Sequence, residues 1–158
     1  MERSNELKKE YLILTSQCDF QGRLGIRNIF DIFMDLAAEH AAHLGVGYYD
    51  MQDRGCYWVA VRTRIRLRER PVLGERITAF TWPHRPSLAK SDRFYRLERD
   101  GKTLVEGRTE WAVQDWETGA VRRTDSYGFP LDLDFREERV CDAPFTRFKN
   151  MELTPERL

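Results

Sequence analysis

Residues 28–47 read NIFDIFMDLAAEHAAHLGVG, and this stretch decides the fold because it holds the one long helical pattern of the chain. Apolar side chains recur at helical spacing along one face, with acidic residues roughly opposite. That face contains Ile29, Phe33, Leu36, Ala37, Ala41 and Leu44. Gly45 and Gly47 follow at the position where a helix commonly ends. The stretch therefore predicts an amphipathic helix from about Asn28 to Leu44.

On both sides of this helix the sequence has the pattern of β-strands. The run from Tyr11 to Cys18 is rich in residues that favour strands, and a glycine-containing loop follows it. After the helix, apolar and charged residues alternate with period two, and turn sequences such as Asp100-Gly101 separate the runs. These runs predict strands at about residues 59–70, 76–82, 88–99, 104–116 and 120–123.

One strand, a long helix and an antiparallel meander form an α+β layout in which the sheet covers one side of the helix. We therefore predict a single hotdog fold, with a long central helix wrapped by an antiparallel β-sheet. A chain of 158 residues is sized for one such domain. We assign residues 1–10 to an N-terminal extension, 11–125 to the hotdog domain and 126–158 to an extended C-terminal tail. Four aromatic residues are expected to pin this tail onto the domain, namely Phe129, Phe135, Phe145 and Phe148.

Charge and cysteine content argue against several classes of function. The chain carries 26 Lys and Arg residues against 26 Asp and Glu residues, so no net charge attracts nucleic acid or an anionic membrane surface. Its N-terminus lacks the apolar segment of a signal peptide or a membrane span. Cys18, Cys56 and Cys141 show neither CxxC nor Cys/His metal spacing, which is typical of free thiols in a reducing compartment. We expect a cytoplasmic protein that needs no metal or other cofactor.

Several short motifs occur in an order that resembles the acyl-carrier-protein (ACP) thioesterase family. They comprise DFQGRL (19–24), AEHAAHLG (38–45), Trp58-Val59 with Arg62 and Ile65, PVLG (71–74), Thr81-Trp82-Pro83, Asp100-Gly101 and Trp111. Members of this family usually carry two hotdog domains in one chain, and residues 10–125 resemble the first of them. The resemblance implies a fatty acyl thioester as the substrate, carried by ACP or by coenzyme A.

The sequence departs from the family at the motif that the resemblance would make catalytic. In the family, catalysis is placed mainly in the second domain, where Asp, Asn and His occupy alternate positions ahead of paired Asn residues. Here the Asp falls on Asp19, but Gln21 and Arg23 take the Asn and His positions. The guanidinium of Arg23 stays protonated at neutral pH and cannot act as a general base. Hydrolysis by this chain would therefore need other groups.

Two carboxylates are the candidates for activating water in thioester hydrolysis. Asp19 precedes the loop at the helix N-terminus, whose unpaired N–H groups are suited to stabilising a carbonyl oxygen as it gains charge. Glu39 lies within the helix, at a location that other hotdog thioesterases use. The alternatives are a loop or cap role for Asp19 and a solvated or dimer-edge carboxylate for Glu39.

His40 is the third catalytic candidate, because it falls at the centre of the apolar face of the predicted helix and should be buried. A buried imidazole needs a hydrogen-bond partner, and a shifted pKa would suit acid/base chemistry. The alternative is a core histidine whose hydrogen bonds are satisfied.

Arginines alternate with other residues along the strand that follows the helix. They are Arg62, Arg64, Arg66, Arg68 and Arg70. This basic face is suited to the phosphopantetheine arm or the acidic helices of ACP. The alternative is a set of cross-strand pairs with charged residues such as Glu106 and Glu110 on a later strand. Such exposed pairs contribute about 0 to 1 kcal/mol each.

From these residues and the family resemblance, we predict that the protein is an acyl thioester hydrolase. The predicted substrate-binding residues are Gln21, Arg23, Asn28, Phe33 and Trp58, although Phe33 and Trp58 are equally suited to an ordinary core. Because one hotdog leaves a sheet edge exposed, we expect a homodimer or a higher oligomer. The alternatives are a non-catalytic module that binds acyl chains or ACP, and a hotdog dehydratase that uses His40.

Overall fold

The computed structural model describes residues 3–146, which form five strands, two α-helices and two short 3-10 turns. The elements in chain order are β1 (Leu7–Leu12), α1 (Ile26–His43), α2 (Tyr48–Asp53), β2 (Cys56–Leu67), β3 (Arg76–Pro83), β4 (Ser91–Arg99) and β5 (Lys102–Asp115). The 3-10 turns are Thr15–Gln17 and Thr124–Ser126.

The strands form one antiparallel sheet in the order β1-β3-β4-β5-β2. The helix α1 packs on one face of this sheet through its buried apolar side chains. The predicted hotdog fold is therefore confirmed. The predicted helix is also confirmed, with bounds within two residues of those expected.

The position of α1 depends on a close approach between the helix and the middle of the sheet. The ring of Phe33 lies over Gly107 of β5 and stacks on Tyr95 of β4, with ring centroids 4.4 Å apart. Phe33 and Tyr95 are both fully buried. A side chain at position 107 would occupy the space of this ring, so the glycine allows the helix to lie close to the sheet.

The predicted strand from Tyr11 to Cys18 is wrong in its bounds. The strand β1 begins at Leu7, inside the segment that was assigned to an N-terminal extension, and ends at Leu12. After it, the Gln17 side chain accepts a hydrogen bond from the backbone N–H of Leu14 and closes a 3-10 turn. The charged residues of β1 are compatible with a strand because β1 is at the sheet edge, where alternate side chains face water.

One other local prediction needs correction. The strand expected at 120–123 is reduced to a single bridge between Gln114 and Val121. The structure also adds a short helix that was not predicted, α2, between the glycines after α1 and the strand β2. The Asp50 carboxylate accepts a hydrogen bond from the Gly47 N–H at 2.9 Å and so caps this helix.

The segment after β5 is pinned to both faces of the domain. Tyr127, Phe129, Leu133 and Phe135 pack beside Trp58 at the helix side of the sheet. Further along, Val140 packs with aromatic residues of the opposite side, and the Phe145 ring lies over three guanidinium groups. The expected anchoring by Phe129, Phe135 and Phe145 is therefore confirmed, whereas Phe148 lies outside the described residues.

We predict that Gly107→Ala destabilises the domain by about 2 to 3 kcal/mol, because overpacking a filled core has a cost of this size. An added Cβ would overlap Cε2 of Phe33. The measurement is urea unfolding of the variant and the wild type. Gly101→Ala is the control: its Cβ meets no atom within 4 Å, but its φ of +78° has a backbone cost of about 1 kcal/mol. An equal or smaller loss at position 107 would contradict the packing argument.

Candidate functional site

A cavity of about 1040 Å³ lies between α1, α2 and the sheet. The α1 wall begins at Met34 and continues through three small residues, Ala37, Ala38 and Ala41. Because alanine side chains extend little from the helix, this part of α1 leaves space where Phe33 fills it one turn earlier. The exposed side chains of Tyr48 and Trp116 lie at the open side of the cavity.

Aromatic residues form the floor of this cavity. Trp58 makes edge-to-face contacts with Trp111, Tyr127 and Phe129, at centroid distances of 6.2, 5.5 and 6.4 Å. Its indole N–H donates to the Val46 carbonyl at 2.8 Å, which fixes the ring. An apolar cavity with rigid aromatic walls is suited to an aliphatic ligand.

The residues predicted to bind substrate do not come together in the structure. All five belong to the described part of the chain, and Trp58 is the one among them that lines the cavity. Phe33 is sealed in the core, so its role there is packing. Gln21 and Arg23 are exposed in the loop before α1, and Asn28 lies in the first turn of the helix, next to Gly25.

Asp19 organises the loop in which it lies. Its carboxylate accepts hydrogen bonds from the backbone N–H groups of Gln21 and Arg23, at 2.9 and 3.1 Å. It also forms an ion pair with Arg70 at 2.8 Å. These hydrogen bonds lower the pKa of Asp19, and the one from the Arg23 N–H has the largest effect. The nearby helix α1 begins after Gly25 without a side-chain cap. The loop-organising alternative for Asp19 is thus realised, and the group stays ionised at neutral pH.

Glu39 and His40 are adjacent in sequence but lie in different surroundings. The Glu39 carboxylate is partly exposed and pairs with Lys9 of β1 at 2.6 Å. His40 is 1% exposed, so the burial expected for it is confirmed. The cavity does not include either side chain among its lining residues within 3–146.

Both ring nitrogens of His40 are engaged. Nδ1 lies 2.9 Å from the Arg93 guanidinium, and Nε2 lies 3.0 Å from the Ser4 carbonyl. Arg93 can only donate, so this network assigns the proton to Nε2, which donates to Ser4. Burial, and then the charge of Arg93, lower the pKa of His40 to about 4. The imidazole is therefore neutral at physiological pH.

The model of the acyl-ACP thioesterase N-terminal domain family matches residues 4–126, which is most of the chain. The chain belongs to this family. The resemblance to acyl-ACP thioesterases seen in the motifs is therefore confirmed.

Solved structures of other proteins share the fold at low sequence identity. An acyl-ACP thioesterase from Bacteroides thetaiotaomicron VPI-5482 is 22% identical, with a TM-score of 0.78 over 95% of this chain and 60% of its own. The 12:0-ACP thioesterase from Umbellularia californica is 14% identical, with a TM-score of 0.79 over 96% of this chain and 58% of its own. A DHNA-CoA thioesterase from Staphylococcus aureus is 20% identical, with a TM-score of 0.70 over 77% of this chain and 83% of its own. No match was found among curated proteins.

This acyl-ACP thioesterase N-terminal domain thus spans about 60% of the length of the two acyl-ACP thioesterases that it matches. Within residues 3–146, no helix has the length and apolar character needed to cross a membrane. The same residues contain no group of three or more His, Cys, Asp or Glu side chains placed to hold a metal ion.

The arginine face of this family member is paired across the sheet. Arg62 lies 3.0 Å from Glu110, and Arg66 lies 3.4 Å from Glu106. Arg64 instead donates to the carbonyls of Ala143 and Pro144 in the tail. The cross-strand alternative is therefore confirmed for Arg62 and Arg66 but not for Arg64, and contact with ACP stays a prediction.

Ser91 and Arg93 of β4 line the cavity but were not among the predicted site residues. The sequence could have indicated them, because alternate residues of a strand lie on one face and positions 91 and 93 fall on the same face as Tyr95 and Leu97, which face the helix. This pattern was obscured by Phe94, which lies on the opposite face. The contribution of α2 to the cavity was also not predicted, since a helix of six residues is too short to show a helical period.

We predict that His40 makes the domain less stable as the pH falls from 6.5 to 4. Folded His40 has a pKa of about 4 and unfolded histidine one of 6.5, so in this range the unfolded state binds more protons. The loss reaches at most about 3 kcal/mol for this group. Urea unfolding at pH 7.5 and pH 5 should show about 2 kcal/mol of this loss, because pH 5 is still about one unit above the folded pKa.

The matched variants for this experiment are His40→Gln and His43→Gln, since His43 is exposed on the same helix. The difference in unfolding free energy between the two pH values should shrink in His40→Gln and stay at the wild-type size in His43→Gln. An unchanged pH dependence in His40→Gln would show that another group is responsible.

Proposed function

We propose that this chain acts on fatty acyl thioesters as an acyl thioester hydrolase and holds the acyl chain in the cavity beneath α1. The observation that carries the proposal is the combination of an alanine and aromatic lining with a volume of about 1040 Å³ in a member of this family. About 70% or more of a bound ligand is commonly buried in such a pocket. The related proteins of known structure are thioesterases by name, which agrees with this chemistry.

In this proposal, Asp19 or Glu39 is the general base that activates water. Asp19 lies just before the N-terminus of α1, where unpaired backbone N–H groups can stabilise a developing oxyanion. Glu39 is partly exposed and is held by Lys9. His40 is less suited to a general base, because its two nitrogens are occupied and its pKa is lowered to about 4.

A second candidate function is a non-catalytic module that binds acyl chains or acyl carrier protein. The observation that favours it is the position of the three catalytic candidates, none of which lines the cavity within residues 3–146. The cavity starts about two turns into α1, roughly 12 Å along the helix axis from its first residue. Asp19 and the helix N-terminus are thus separated from the cavity along one helix, whereas Glu39 and His40 lie next to the lining residues Ala38 and Ala41 without lining the cavity themselves.

We predict that thiol release from acyl-ACP or acyl-CoA falls by about 100-fold or more in one of two variants, Asp19→Asn or Glu39→Gln, because a general base contributes this much. Each amide keeps one acceptor oxygen, which serves the backbone N–H groups of the loop in Asp19→Asn and Lys9 in Glu39→Gln. Asp19→Asn also loses the oxygen that accepts from Arg70, so thermal unfolding of both variants is measured beside the assay. The measurement is release of free thiol from saturated acyl thioesters of several lengths on both carriers.

Asp31→Asn is the control for this experiment, because Asp31 is an exposed carboxylate of the same helix. If both test variants release thiol at the wild-type rate, neither carboxylate is the base. If the wild type releases no thiol but binds the substrates, the binding-module function replaces the hydrolase.

We also propose that two or more copies associate through β2. This strand forms an edge of the sheet, so half of its backbone hydrogen-bonding groups have no strand partner within residues 3–146. Val61 forms a bulge there and is 44% exposed. Pairing with a second sheet would satisfy such an edge.

Light scattering at micromolar concentration tests this association. The expected mass is twice 18.8 kDa or a higher multiple. A mass near 18.8 kDa itself that persists as the concentration is raised would overturn the proposal.

A further inference from the structure

Arg93 is a buried cation in the wall of the proposed acyl cavity. It belongs to β4 and lies on the helix-facing side of the sheet, two residues from Ser91. The two residues are 6% and 5% exposed, and both line the cavity. Gln52, Glu117 and the ion pair of Asp115 with Arg122 also line the cavity, and the rest of the lining is apolar, aromatic or small. Ser91 and Arg93 are the polar lining residues that β4 contributes.

The hydrogen bonds of Arg93 use one end of its guanidinium group. Nη1 donates to Nδ1 of His40 at 2.9 Å and to Oγ1 of Thr81 at 3.2 Å. Neither acceptor carries a negative charge. The N–H groups of Nε and Nη2 donate to no residue within 3–146. Nor are these two nitrogens among the sealed polar atoms of the interior, so they retain contact with the cavity.

No carboxylate within residues 3–146 lies within 4 Å of this guanidinium. Arg108 makes the contrast clear, because it is buried to a similar degree on the other face of the sheet and pairs with Asp92 at 2.9 Å. Burial lowers the pKa of Arg93 to about 10, which still leaves it protonated at neutral pH. A buried charge without a counter-ion is unfavourable, so its retention calls for an anion.

A purely structural role accounts for Nη1 but not for the rest of the group. Anchoring His40 and Thr81 needs one nitrogen, and the other two face the cavity. A saturated acyl chain packed against them would leave charged N–H groups without acceptors, which disfavours binding. A carboxylate fits this position, because its two oxygens can accept from Nε and Nη2 together in the paired geometry that arginine prefers.

We propose that the cavity binds an aliphatic chain that carries a carboxylate, and that Arg93 and Ser91 hold this carboxylate. The inference rests on the proposed binding of acyl chains in the cavity and specifies the class of ligand. Two sources supply this chemistry. One is a dicarboxylic acyl thioester, whose far end carries the carboxylate, and the other is a free fatty acid bound by its own carboxylate.

Calorimetric titration with three probes tests the proposal. The probes are a dodecyl thioether of coenzyme A, the same thioether with a carboxylate at the far end of its chain, and sodium dodecanoate. We expect the carboxylate-ended thioether to bind about 10- to 100-fold more tightly than the methyl-ended one if the source is a dicarboxylic thioester. Saturable binding of dodecanoate that depends on Arg93 identifies the free acid as a ligand.

Two variants of Arg93 and one control assign the effect to this residue. Arg93→Met should remove the preference for the carboxylate, and Arg93→Lys should keep part of it because the charge remains. Arg96→Met is the control, because Arg96 lies on the same strand but faces the opposite side and pairs with Glu138. Thermal unfolding of each variant shows whether it is folded.

The comparison of probes on the wild-type protein does not depend on any variant. Equal affinity for the two thioethers, together with no Arg93-dependent binding of dodecanoate, would overturn the proposal. So would a preference that survives in a folded Arg93→Met protein. Thioethers cannot be hydrolysed, so the result stands apart from thiol release. A domain that releases thiol but shows neither the preference nor Arg93-dependent binding of dodecanoate refutes this inference alone, and one that shows either of them without releasing thiol refutes the hydrolase alone.

Discussion

The packing of Phe33 between Gly107 and Tyr95 is the contact on which the rest of the structure depends. It brings α1 onto the middle of the sheet, where the absence of a side chain on β5 lets a large ring lie against the backbone. One turn further along the helix, alanines replace large residues, and the helix no longer fills the space above the sheet. The same contact that closes the core at one end of α1 therefore sets the height of the cavity at the other end.

The arginines on the two faces of the sheet differ in whether a counter-ion lies beside them. On the outer face, arginines of β2 and β5 are paired with carboxylates or covered by carbonyls and the Phe145 ring of the tail. On the helix face, Arg93 is held by a neutral imidazole and a hydroxyl. The outer pairs need no ligand to account for them, since their charges compensate one another. The charge of Arg93 has no counter-ion within residues 3–146, and this difference from the outer arginines is what points to an anionic ligand.

The separation of Asp19 from the cavity also follows from the fold. Asp19 is bound into the loop before α1 by backbone N–H groups and Arg70, whereas the cavity begins at Met34. A stiff helix keeps these regions apart, because a rise of 1.5 Å per residue cannot be shortened. A thioester held with its chain in the cavity must therefore reach toward whichever carboxylate activates water, or another part of the assembly must supply that group.

The sequence by itself determined the fold class and the central helix, because the helical period of residues 28–47 and the alternation after it depend on local geometry alone. It also predicted the burial of His40 from its place on the apolar face. Only the tertiary structure decided what His40 contacts, which of the candidate residues line the cavity, and that Arg93 faces it. These facts depend on which strands become neighbours and on how closely α1 approaches them, and contacts between residues far apart in sequence leave no periodic signal in either segment.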